Sequence, residues 1–98
     1  MKNTMITPSD VCLNTAVVFN KNSSQLMSET RKASVVAARD ICFKICKDHL
    51  FMVQDEIGDY FNKNRSSVAH GLRRVDKNLT KHPQYKKRYD TIIERLEL

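Results

Sequence analysis

The sequence predicts an all-α fold: a compact helical bundle of about five helices plus a short turn, containing a helix-turn-helix. Three observations carry this. The 98 residues suit one domain. Only 2 Gly and 2 Pro occur, too few turn-formers for a many-stranded sandwich or barrel. Apolar residues, 41% of the chain, recur at helical spacing along most of its length. Residues 1–98 are therefore expected to form a single domain, with residues 1–5 flexible.

Each helix is signalled in turn. Thr7-Pro8-Ser9-Asp10 is a helix start, with Thr7 as cap, Pro8 at the first helical position and Asp10 complementing the dipole. Val11, Thr15, Val18 and Phe19 supply its apolar stripe. The run 20–24 breaks it, and Ser23 or Ser24 can cap a single turn containing Leu26 and Met27. A third segment, 33–49, places Val35, Ala38, Cys42, Ile45 and Cys46 on one side with Ile41 adjoining, and Arg39, Lys44 and Lys47 away from its middle.

Leu50-Phe51-Met52-Val53 reads as an apolar connector into a helix at about Gln54, which carries Ile57, Tyr60 and Phe61 and stops at Asn62-Lys63-Asn64. In 65–81, Val68, Leu72, Val75 and Leu79 share a narrow arc, while Ser66, His70, Arg73, Arg74 and Lys77 point the other way. His82-Pro83 ends that helix and starts the last, with Tyr85, Tyr89, Ile92, Ile93 and Leu96 inward.

Charge narrows the function. The chain carries +6, yet its first thirty residues are neutral. Within residues 63–88 nine basic residues meet one acid, Asp76, a net +8 over 26 residues. That is the footprint of a surface for a polyanion. No run is apolar enough for a signal peptide or membrane span. Cys12, Cys42 and Cys46 fall in apolar patterns and read as small core residues. Adding His49 to Cys42 and Cys46 gives three ligands and no fourth of clear spacing, so no metal is expected. His49, His70 and His82 lack a nucleophile or carboxylate partner, and neither an enzyme nor a cofactor is expected. The setting expected is a reducing cytoplasm, at the nucleoid.

Two short helices joined by a tight polar turn, the second with an apolar back and a basic front, are what a helix-turn-helix requires. In this reading Arg65, Ser66, Ser67 and His70 meet base edges, and Gly71 permits close approach. Lys63, Asn64, Arg73, Arg74 and Lys77 suit the backbone, which supplies affinity rather than sequence information. The predicted partner is double-stranded DNA, with other replication or regulatory proteins as further partners, and no heptad seam is visible. The alternative is a protein-interaction module, antitoxin-like or anti-initiator, using Leu50-Phe51-Met52-Val53 or the Tyr85/Tyr89 helix.

Glu56-Ile57-Gly58-Asp59-Tyr60-Phe61, a short polar loop and Ser66-Ser67-Val68-Ala69-His70-Gly71-Leu72-Arg73-Arg74-Val75 resemble the C-terminal DNA-binding domain of the bacterial replication initiator DnaA. The resemblance covers about residues 5 to 98 and implies a Trp-repressor-like helical fold that reads the DnaA box in the major groove. It also implies minor-groove contact from a basic loop, where Arg31 stands beside Lys32, and a further DNA contact at Arg39. The loop after Phe61 is one residue shorter than in the family. The family's Asp-His-Thr-Thr is here Asn64-Arg65-Ser66-Ser67, so Arg65 replaces a base-reading histidine. Its Arg-Pro-Arg run is here Ala37-Ala38-Arg39. Because each base contact decides about 1–3 kcal/mol of discrimination, a retuned site is expected. The only glycines, Gly58 and Gly71, form no phosphate loop for an ATPase. The expectation is a free-standing DNA-reading module that regulates transcription or replication initiation.

Overall fold

In the computed structural model, which describes residues 5–98, most helices begin where the sequence offers a local device for their free backbone N–H groups. Residues 1–4, most of the segment expected to be flexible, lie outside the described residues. Helix α1 (Pro8–Val18) has a full capping box: the Thr7 side chain accepts from the Asp10 N–H while the Asp10 carboxylate accepts from Thr7 N–H. The short α2 (Ser23–Met27) is capped by Asn22 and Gln25 in the same reciprocal way, one residue before the serines expected to do it. Helix α3 (Ala33–His49) follows a loop carrying Arg31 and Lys32. Then come α4 (Gln54–Phe61), α5 (Arg65–Lys81) and α6 (Pro83–Arg95), the last begun by Pro83 in the first turn. The five long helices and one short turn of the sequence reading are all present.

Helix α3 is the hub. It packs against α1, α2, α4 and α5, while α5 and α1 both meet α6. Consequently α3 is buried on nearly every side: Val35, Ala38, Ile41, Cys42, Phe43, Ile45 and Cys46 all join the core. Phe43 meets Phe61 edge-on at 5.2 Å, locking α3 to α4. Tyr85 meets Phe19 across α6 and α1 and donates its hydroxyl to the Ala37 carbonyl at 2.9 Å. The radius of gyration, 12.2 Å, is that of a well-packed chain of this length.

The three cysteines are buried and unpaired. Burial pushes the Cys42 and Cys46 thiols up, Cys46 to about 12, so both are neutral core groups. Among the described residues no cluster of His, Cys, Asp and Glu is arranged to hold a metal ion. No helix among them is long and apolar enough to cross a membrane.

Several inward assignments change. Tyr89 and Ile93 are only partly buried, and Tyr60 lies at the surface while its neighbours Ile57 and Phe61 turn in. The connector after α3 alternates: Leu50 and Met52 pack on the core, and Phe51 and Val53 face solvent.

Candidate nucleic-acid interface

The helix-turn-helix is built from α4, three residues and α5. Helix α4 stops because Asn62 adopts a left-handed conformation, φ 55°, which asparagine tolerates better than most residues. The chain doubles back so closely that the Lys63 N–H donates to the Gly58 carbonyl at 2.8 Å. A Cβ on residue 58 would sit 2.5 Å from the Lys63 carbonyl oxygen, so the turn requires glycine there. Asn64 then caps α5, its side-chain oxygen accepting the Ser67 N–H at 2.8 Å.

Val68, Gly71, Leu72 and Val75 form the buried stripe of α5. That orientation leaves Arg65, Ser66, Ser67, His70, Arg73, Arg74 and Lys77 on the exposed front. Arg65 is 72% exposed, its Nε 4.0 Å from an Asp55 carboxylate oxygen, a loose pair that leaves the guanidinium available. Arg73 Nη2 lies 2.7 Å from His70 Nδ1. Arginine only donates, so Nδ1 is the acceptor in that contact.

Arg74 is held more firmly. Its Nε and Nη2 donate to the two carboxylate oxygens of Asp40 at 2.9 and 3.1 Å, a bidentate pair between α5 and α3. The Asp40 side chain is 3% exposed. Burial pushes its carboxyl above the usual range, and Arg74 pulls the other way.

Two expected DNA contacts have other roles. Arg39 is 6% exposed. Its Nε donates to the Leu26 carbonyl at 2.8 Å and its Nη2 to the Ser28 carbonyl at 2.9 Å, with longer bonds to Thr30. This guanidinium holds the loop between α2 and α3. Gly71 faces α3, where an added Cβ would meet Asp40 Oδ1 at 2.6 Å and the Phe43 ring at 2.7 Å. Close approach is needed there, but between helices.

The same loop is tied to the helix-turn-helix. Lys63 Nζ donates to the Ser28 carbonyl at 2.9 Å. Partial burial, with Arg39 and Arg31 nearby, pushes its ammonium pKa down. Arg39 and Lys63 thus hold the segment bearing exposed Arg31 and Lys32 beside the start of α5. Between them runs an open groove of about 460 Å³, lined among others by Arg31, Lys63, Asn64, Ser67, His70 and Arg74. The sequence reading missed Asp40 and the Ser28 carbonyl. Asp40 had a signal, since an acid inside a segment this apolar needs a cation; the carbonyl had none.

Such an arrangement defines a helix-turn-helix domain whose second helix presents a basic, hydroxyl-bearing face to solvent. The chain belongs to the bacterial DnaA protein helix-turn-helix family, whose model matches residues 8–75, from α1 through most of α5. It is similar to the chromosomal replication initiator protein DnaA of Mycoplasma pneumoniae, with 36% identity over 63 residues, 64% of this chain and 14% of that protein. The DnaA of Lachnoclostridium phytofermentans is 25% identical over 79 residues, 80% of this chain and 17% of that protein. That of Oleidesulfovibrio alaskensis is 30% identical over 63 residues, 64% of this chain and 14% of that protein. The chain therefore spans only 14–17% of the length of these relatives.

Proposed function

We propose that this chain binds double-stranded DNA sequence-specifically as a monomer, and regulates transcription or replication initiation at sites resembling the DnaA box. The observation that carries this reading is the front of α5, where Arg65, Ser66, His70, Arg73 and Lys77 are all exposed. Family membership and the clustered positive charge support it. In this reading α4 braces and the first turns of α5 enter the major groove, the groove wide enough for a helix. Arg65 reads guanine bidentately, and Ser66, Ser67 and His70 supply shorter hydrogen bonds. Arg73, Arg74, Lys77 and Lys63 meet phosphates. Arg31 and Lys32, on a loop fixed by Arg39, reach the neighbouring groove or backbone. Asn64 acts through the cap that aims α5. The nucleoid is where such a protein works.

The test is selection of sites from a random duplex library at about physiological salt, where screening suppresses nonspecific binding. Enrichment of a defined motif is expected, and Arg65→Ala should relax one position of it. Lys77→Ala should weaken binding to all sequences alike and flatten the salt slope by about 0.9. No enrichment, or two variants indistinguishable from the parent, would remove α5 as a reading helix.

A further inference from the structure

The DNA-facing surface makes no use of the apolar run Leu50-Phe51-Met52-Val53. Its two outward members are 84% and 61% exposed, Phe51 and Val53 respectively. Phe51 also has φ 57°, the left-handed region where glycine or asparagine is relaxed and a bulky side chain is an outlier. Neither burial nor backbone geometry favours phenylalanine at this position.

Helix α4 continues the patch. At about 100° per residue, Val53, Glu56 and Tyr60 share one arc flanking buried Ile57, and Asp55 and Asp59 share the next, opposite Ile57 and Phe61. Residues 48–61 contain four acids and no Lys or Arg, in a chain of net charge +6. Asp48 is neutralised by Lys44, and Glu56 accepts the Val53 N–H in a cap. Asp59 makes no ion pair among the described residues.

We propose that the exposed face formed by Phe51, Val53 and Tyr60 is a docking surface for a basic amphipathic helix of another protein. Apolar anchors inside a charged rim are the usual anatomy of such an interface. The rim selects the occupant. Acids at Asp55, Glu56 and Asp59 repel DNA and anionic lipid, and they complement Lys and Arg flanking an apolar stripe. The face adjoins the Arg65–Asp55 pair without including the front of α5, so a partner seated there stands beside the duplex and leaves the reading helix free.

The test uses the full chain to pan a displayed library of amphipathic helical peptides, counter-selected on Phe51→Asn. Asparagine suits the left-handed backbone, so this variant should melt at or above the parent by circular dichroism, which separates lost contact from lost fold. Expected are peptides with one or two large apolar residues among Lys and Arg, bound roughly tenfold or more weakly by Phe51→Asn and by Asp59→Lys. Their amide shifts should map to residues 51–60, with duplex affinity unchanged. Acidic peptides mapping to α5, or no peptide that distinguishes Phe51→Asn, would overturn the proposal. So would self-association in sedimentation or binding to anionic vesicles that Phe51→Asn abolishes, which would give the face to a second copy or to a membrane.

Discussion

Gly71 separates two explanations of one residue. Packed against Asp40 and the ring of Phe43, itself wedged on Phe61, it leaves no room for a methyl group. Gly71→Ala is expected to lower stability by about 1–3 kcal/mol through overpacking, read as an earlier urea midpoint. Had the residue served close approach to bases, the variant would keep its stability and lose only DNA affinity. Asp40, its neighbour, makes a pH prediction. Burial raises its carboxyl above the usual value of 3.8, so its contribution to stability is fully present below that value and is lost as pH rises through the folded one. Comparing urea unfolding of the parent and Asp40→Asn, acidification from pH 7 toward 4 should move the difference in favour of the parent. Movement the other way would mean that Arg74 outweighs burial.

The loop between α2 and α3 is tied to the end of α2 because one guanidinium gathers the Ser28 and Thr30 carbonyls of the loop and the Leu26 carbonyl of α2. Replacing Arg39 by Met leaves the Leu26 and Ser28 carbonyls without that donor, and is expected to cost about 1–3 kcal/mol. Hydrogen exchange should rise in residues 28–32 while the buried stripe of α5 stays protected. Duplex affinity should fall by a similar factor on every sequence, since Arg31 and Lys32 lose their fixed position while Arg65 keeps its own. A loss confined to one base position would instead give Arg39 a direct part in base reading. Arg39 was illegible from sequence because its partners are backbone carbonyls nine to thirteen residues away, in α2 and the irregular loop after it. Helix boundaries were legible for the opposite reason. The Thr7–Asp10 box, the Asn64 cap and the His82-Pro83 break all act within one turn of chain. The single stripe read on α3 understated its burial, because Phe43, away from that stripe, makes sense only once four helices surround it. Tyr60 erred in reverse: helical spacing alone gave it the same weight as Ile57.

Across the whole molecule, charge is sorted by face, and that sorting predicts how binding responds to salt. The cations counted together in residues 63–88 do not form one surface. Those on α6 lie apart from the front of α5: Lys86 pairs with Asp90 at 2.9 Å and Arg88 stacks 5.1 Å above Phe19 of α1. Of the cations assigned to the backbone on the DNA side, Lys63 is held by the Ser28 carbonyl, and the five exposed ones are Arg31, Lys32, Arg73, Arg74 and Lys77. If each neutralises one phosphate, log K against log salt should slope at about −0.9 per contact, or roughly −4.5 in all. Raising salt from about 50 to about 200 mM should then weaken binding roughly 500-fold. Replacing Lys86, Lys87 and Arg88 together by Gln removes three charges but should leave that slope nearly unchanged, because screening confines their influence to about a Debye length. A slope reduced by as much as three lost contacts would place α6 against the phosphates and turn the molecule on its duplex. Retention of the slope with lower overall charge would show that the faces, and not the net +6, set how the protein holds DNA.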